Sequence, residues 1–338
     1  MAETPMICGP ANGAMSAPDT EASPTLDASS NLPMDVPFTA AVARREGVSR
    51  TRLALLCRLG LLRQPIRRVY LATQVPDSLL VRAQCMALVM PDDCVIVDRH
   101  AGWLHGAEMT LAPGEHLNVL PLQLFRPSGH GRLRNDLTVS GERNLVPSDV
   151  TEVFGLPVST IVRTAWDLGR VRSRQRSIAG IDQMMRLEGF PRDEFLAGIE
   201  RFRGQRWVTN LRTFGPLATG KAESPGESAL LLGWHDAGLP EPTPQVEFWE
   251  EGRLIARCDV GNEELGYMTE YLGFEWHSSD AQLSSDASRR AYVECRGNVV
   301  DEFTKDDVFG QRRNLESLLV KGSRLASIER ERRRILLL

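Results

Sequence analysis

An α/β chain of several domains is what this sequence predicts, and three observations predict it. Segments with helical spacing of apolar residues alternate with segments of strand-like pattern. The local charge changes sign twice. Five acids and no Lys or Arg stand in residues 1–35, Val36–Thr73 carries a net +7, and Glu223–Asp280 carries a net −11. A stretch rich in Gly, Pro, Ser and Thr, Phe214–Pro225, then divides the chain as a linker would. At 338 residues, each part is long enough to bury its own core.

Composition narrows the function classes. Hydrophobic residues at 42% and charged residues at 25% are ordinary for a globular protein. No apolar run approaches the ~20 residues that span a bilayer, so no membrane partner is expected. The first thirty residues lack the basic start and apolar core of a secretory signal. Six cysteines (Cys8, Cys57, Cys85, Cys94, Cys258, Cys295) never form a CxxC pair. They read as reduced thiols of a cytoplasmic protein, which argues against a zinc ribbon or a disulfide scaffold.

The elements follow in order. Residues 1–35 are Ala-, Pro-, Ser- and Thr-rich and acidic, and the expectation is a disordered tail that buries almost nothing. In residues 36–75, Thr39 caps a short helix through Arg45, Gly47 turns the chain, and Ser49 caps a second helix. Leu53, Leu56, Cys57 and Leu61 line one face of it, and Arg50, Arg52 and Arg58 lie off that face. Leu62–Leu71 reads as a hairpin carrying Arg67 and Arg68. Helix-turn-helix followed by a wing is a DNA-binding arrangement: arginines on helix and wing neutralise phosphates, and a helix in the major groove reads base edges. Phosphate contacts fall to Arg50, Arg52, Arg67 and Arg68, with double-stranded DNA as partner. The plain alternative is arginines decorating a small helical subdomain.

This stretch resembles the winged-helix N-terminal domain of AbiEi-type antitoxins, bacterial toxin–antitoxin transcription regulators. The resemblance lies in Phe38-Thr39-Ala40-Ala41, Gly47-Val48-Ser49, Leu59-Gly60-Leu61-Leu62-Arg63 and Arg67-Arg68-Val69-Tyr70-Leu71. That family usually has glycine before the Val-Tyr pair, where this chain has Arg68, so Gln64-Pro65 is expected to shape the wing turn instead. The resemblance implies a toxin protein as a possible partner.

Residues 76–215 read as a mixed α/β middle domain, with helical stretches 77–90 and 159–169 and strand-like stretches Glu115–Leu120 and Leu137–Ser140. His100 and His105 stand five apart, off the i, i+4 spacing of a helical zinc pair, and read as packing or capping residues. Ala101-Gly102-Trp103-Leu104-His105-Gly106, Gly155–Thr160 and Arg163–Leu168 are similar to the middle region of the same antitoxin-like proteins.

In residues 223–310, Ser224 caps a helix with Pro225 in its first turn and Glu227 complementing its dipole. Strands are expected at Thr243–Trp249, Arg253–Val260 and Gly266–Tyr271, the last two joined by a turn at Gly261–Glu264. Asp259 and Glu270 on adjacent strands, with Glu227 from the helix, could converge on a Mg²⁺ ion able to activate water for attack on phosphate. Solvated hairpin acids are the alternative. The order Glu227, Asp259, Glu270, Gly273, His277 is similar to the restriction-endonuclease-like fold of the PD-(D/E)xK superfamily, in particular to the very-short-patch repair (Vsr) branch. A helix near Asp286–Ala291, a strand Asn298–Phe303 and Thr304–Val308 fit that fold, an α/β/α layering. The resemblance implies Asp259 and Glu270 as metal ligands, Glu227 as the helix glutamate and His277 as general base or phosphate contact. It departs at Leu272, where this branch has Asp and the wider superfamily Lys. A strand places 270 and 272 on one face, so an apolar group stands where catalysis needs a polar one. Residues 311–338 read as a basic helix. The expected function is that of a DNA-binding, antitoxin-like regulator with a degenerate nuclease-like domain. The alternatives are a Mg²⁺-dependent endonuclease and an antitoxin whose acidic face binds a basic toxin.

Overall fold

A computed structural model of the chain describes residues 25–27, 30–111, 121–135, 137–273, 280–311 and 313–336. It is a mixed α/β protein with three sheets. Among the described residues no helix is long and apolar enough to cross a membrane.

The N-terminal sheet has the order β1-β3-β2, all antiparallel: β1 (Phe38–Thr39), β2 (Leu62–Ile66) and β3 (Val69–Ala72). Between β1 and β2 lie α1 (Ala40–Arg45) and α2 (Arg50–Arg58), capped as their sequences dictate. Thr39 Oγ1 accepts from the Val42 N–H, and Ser49 Oγ from the Arg52 N–H. The hairpin turn falls at Arg67-Arg68 and not at Gln64-Pro65, which lie inside β2 where its register slips between Arg63 and Ile66. Arg68 adopts the left-handed conformation, φ 73°, that the turn demands. The hairpin has two apolar sides. Leu62 and Ala72 pack with Phe38, Leu53 and Leu56, whereas Ile66, Val69 and Leu71 enter the core of the following module.

The tail expected through residue 35 holds more than that expectation allowed. Leu26 and Leu32 are buried against Leu53, Leu56 and Phe38, and the Gln74 side chain bonds both the N–H and the carbonyl of Leu26, at 3.1 and 2.9 Å. Two leucines are enough, because the α2 face they cover would otherwise meet water.

The middle sheet runs β6-β5-β4-β9-β8 with β7 beside β5, from β4 (Val95–Ile96), β5 (Leu122–Pro127), β6 (Thr138–Val139), β7 (Glu142–Arg143), β8 (Val150–Val153) and β9 (Leu156–Ser159). α3 (Leu79–Ala87) and α4 (Asp98–Leu104) pack with it around Met86, Ile96, Trp103 and Leu124. A helical layer follows: α5 (Ile161–Gly169), α6 (Arg174–Met185), α7 (Arg192–Gly198) and α8 (Val208–Phe214), joined around Trp166, Ile178, Phe195 and Phe214. The expected strand Glu115–Leu120 lies outside the described residues.

The last module has the sheet order β10-β11-β12-β13, with β10 (Thr243–Glu250), β11 (Arg253–Asn262) and β12 (Tyr267–Tyr271) antiparallel and β13 (Val299–Phe303) parallel to β12. β11 runs on through Gly261 and Asn262, so its turn begins later than expected. The β12–β13 crossover contains α10 (Asp280–Cys295), which covers one face with Val293 against Met268, Cys258 and Val300. α9 (Pro225–Asp236), α11 (Lys305–Phe309) and α12 (Leu315–Leu336) cover the other, around Trp234 and Tyr267, whose rings stack at 5.4 Å.

The presumed linker 214–225 is pinned rather than loose. Ala218 and Ala222 are buried, and the Thr219 and Gly220 N–H groups both donate to Asp182 Oδ1 at 2.8 Å. Leu232 of α9 joins the helical core of the middle module, so α9 serves both modules. A Gly/Pro-rich composition marked the break in secondary structure; it could not reveal that a buried carboxylate on α6 holds the segment.

Candidate functional site

The acidic site begins with the start of α9. Ser224 Oγ accepts from the Glu227 N–H at 3.1 Å, and Pro225 opens the first turn where no N–H is needed. At Gly226 a Cβ would lie 2.0 Å from the Tyr271 ring, so only glycine lets this turn sit against the end of β12. That approach brings Glu227 towards Asp259. Glu227 Oε2, however, already accepts from the Glu223 N–H at 2.7 Å and from Gln245 Nε2 at 2.9 Å. Gln245, which no sequence motif had marked, holds a φ of 56° inside β10.

Asp259 and Glu270 are electrostatic neighbours at the end of the β11–β12 ladder. The β11–β12 ladder pairs Asn262 with Tyr267, Gly261 with Met268 and Val260 with Thr269, and stops one step short of these two acids. The Tyr271 N–H goes instead to Asp259 Oδ2 at 2.7 Å. Arg257, two positions before Asp259, pairs with Glu223 on the α9 side at 2.7 Å. Glu270 lies with Met268 on the α10 side, where its carboxylate takes the Cys258 thiol at 3.5 Å. There it stands beside Glu302, its parallel partner on β13, which Arg290 meets at 3.3 Å.

Burial, then the Glu227 carboxylate and more weakly that of Glu270, push the Asp259 carboxyl up to about 7. Burial likewise raises Glu227 and Glu270 above the usual carboxylate range. Like charges in a poorly solvated place suppress one another's ionisation. The three acids predicted to act together are therefore electrostatic neighbours. Among the described residues, however, no group of three or more His, Cys, Asp or Glu is arranged to hold a metal ion. Leu272 is half-buried and extends the β12–β13 pairing, its N–H donating to the Phe303 carbonyl at 2.8 Å. His277 lies outside the described residues.

The basic site is built on α2 and the β2–β3 turn. Arg50 and Arg52 are exposed in the first turn of α2, and Arg67 and Arg68 are exposed at the hairpin turn. The first turn of a helix carries about +0.5 of dipole charge, which disfavours cations there by ~0.3–1 kcal/mol each. Two arginines and no acid occupy it. Arg63, by contrast, is half-buried and donates from Nη2 to the Val75 carbonyl at 3.0 Å, a structural arginine.

A third constellation escaped the sequence. Asp167, buried on α5, receives Arg163 and Arg143 at 2.9 Å each and Arg170 as well. Asp149 receives Arg163 at 2.6 Å and Arg201 at 2.9 Å, and Arg143 reaches Asp98 at 3.0 Å through its second nitrogen. Phe202 lies under Arg163, Arg170 and Arg201. The arginines hold Asp167 and Asp149 below the usual carboxylate range despite their burial. Each carboxylate is saturated by guanidinium donors, so this network organises the core. His105 Nε2 meets the Ser159 carbonyl at 2.7 Å, and His100 Nδ1 accepts from the Gln123 N–H at 3.2 Å, packing roles for both.

Fold and sites together define a multidomain α/β protein with an exposed basic N-terminal module and a half-buried group of acids in its last module. Over 237 residues the chain is 31% identical to two proteins of Mycobacterium tuberculosis: uncharacterized protein MT2308 (strain CDC 1551 / Oshkosh) and uncharacterized protein Rv2248 (strain ATCC 25618 / H37Rv). The alignment covers 70% of this chain and 83% of each relative. The chain belongs to the family of these mycobacterial proteins. No protein-family profile matches it, and no solved structure does.

Proposed function

We propose that this protein is a DNA-binding regulator of the antitoxin-like, winged helix-turn-helix kind, whose nuclease-like last module serves binding and not cleavage. One observation carries the reading. Four exposed arginines stand on the first turn of α2 and on the adjoining hairpin turn, two of them against their own helix dipole. A phosphate backbone across both elements would relieve that repulsion and offset the left-handed strain at Arg68. The Arg50→Glu/Arg52→Glu variant should lose most duplex affinity and lower the salt dependence by roughly one logarithmic unit per phosphate contact removed. Unchanged affinity at equal salt would remove the assignment.

A Mg²⁺-dependent DNA endonuclease of the Vsr-like class is the second reading, favoured by the carboxylate crowding around Asp259. Its test is plasmid nicking with Mg²⁺ or Mn²⁺ by the wild type, Asp259→Ala, Leu272→Asp and Leu272→Lys. The wild type should not nick, or should nick ~10²–10³ more slowly, the usual cost of one missing electrostatic stabiliser, and Leu272→Asp or Leu272→Lys should raise the activity. Brisk nicking by the wild type, lost in Asp259→Ala, would make the protein a nuclease. A toxin protein bound on the acidic module would be detected as a stoichiometric complex in which neither site is mutated.

A further inference from the structure

The far end of the last sheet holds a cavity of about 530 Å³ whose lining includes Glu263, Arg296, Gly297, Arg330, Arg333 and Arg334. It opens where β12 starts, about 13 Å along the strand from Glu270, at ~3.3 Å per residue. We propose that this cavity binds the phosphate backbone of a nucleic acid, a second contact surface on a module with a net acidic sequence.

The arginines are built into place. Arg330, Arg333 and Arg334 stand at i, i+3 and i+4 on α12 and so share one face. Arg330 Nη1 donates to the Glu263 carbonyl at 2.6 Å and to that of Glu264. Arg333 spans the Cys295 and Glu294 carbonyls at 3.3 and 3.2 Å. Arg296 lies 3.5 Å over the Tyr292 ring and meets Glu250 at 3.0 Å. Arg334 is exposed at the rim. At Gly297, φ 93°, a Cβ would stand 3.1 Å from Arg333 Nη1, so glycine keeps the guanidinium seated.

The simpler account is that these arginines cap the carbonyls ending α10. Magnitudes decide against it as the whole explanation. A helix C-terminus carries about −0.5 charge, and Arg333 alone more than offsets that. Four guanidinium groups face the single lining carboxylate of Glu263, and with Glu250 set against Arg296 the cavity is still cationic. A guanidinium has five N–H donors in a fixed fork, and the carbonyl contacts use only some of them. One phosphate could not neutralise so many cations spread round an opening, whereas a polynucleotide strand offers a charge every ~3.4 Å.

The test is fluorescence anisotropy of the full chain with short labelled duplex DNA across a salt series, with calorimetric titration of inorganic pyrophosphate as the small probe. Arg334→Glu and Arg334→Ala alter the lining arginine that has no bonded partner among the described residues, and unchanged melting temperatures report intact folding. We expect duplex affinity to fall about tenfold at low salt in Arg334→Glu and less in Arg334→Ala, with the salt slope reduced by roughly one. The loss should multiply with that of Arg50→Glu/Arg52→Glu. Duplex affinity like the wild type in both Arg334 variants overturns the inference, and so does a loss confined to pyrophosphate. Because each arginine set is read separately, failure here leaves the α2 assignment standing, and the reverse also holds.

Discussion

Replacing Asp259 by Asn should make the protein more stable at high pH, opposite to what removing a well-paired carboxylate does. A carboxyl held at about 7, where the ordinary value is 3.8, binds its proton more tightly in the folded state than in the unfolded chain. Its stabilising contribution is therefore fully present below 3.8, falls as pH rises towards about 7, and is gone above that. At 1.36 kcal/mol per pH unit the difference amounts to roughly 4 kcal/mol, an upper bound that relaxation and water entry would reduce to about 2. Asparagine keeps the acceptor for the Tyr271 N–H and removes the charge that Glu227 and Glu270 oppose. Denaturant unfolding near pH 8 and pH 5 measures the effect. Asp259→Asn should gain about 2 kcal/mol at the higher pH and roughly 0.8 kcal/mol at the lower, where pH has already risen past the unfolded value. A variant no more stable than the wild type at pH 8, or one whose gain is the same at both pH values, would refute the argument from burial and crowding.

Two further outcomes follow from packing. Leu26→Ala should cost about 2–3 kcal/mol of stability by denaturant unfolding, because Leu26 is buried on the α2 face; a cost within ~0.5 kcal/mol would show that the segment does not dock. Asp167→Asn should cost about 3–5 kcal/mol, since it leaves three buried or half-buried arginines facing one another, and added salt should not restore it; melting temperatures across a salt series decide this.

The sequence by itself determined the local chemistry of the chain. Thr39, Ser49 and Ser224 cap the helices they were expected to cap, because a cap is a contact between residues three apart. Apolar spacing located α2, α9 and the strands β10 to β12 for the same reason. Leu272 was visible as an apolar residue two positions after an acid, although β12 ends one residue before it.

What only the tertiary structure decided depends on residues far apart in the chain. Gln74 holds Leu26 across 48 residues, so composition alone read as disorder a segment whose two leucines find a complementary face. The turn at Arg67-Arg68 was placed by the packing of Ile66, Val69 and Leu71 into a second core, which overrides the reluctance of arginine to take a positive φ. Asp259 and Glu270 were legible as acids on neighbouring strands, but their surroundings depend on where the ladder ends, and the Tyr271 N–H there bonds the Asp259 side chain. The arginines of the far cavity come from α12 and from the turn after α10, brought together by the parallel strand β13 between them. Local propensity carries no information about such meetings, because their energy comes from burial and pairing that exist only once the chain has closed on itself.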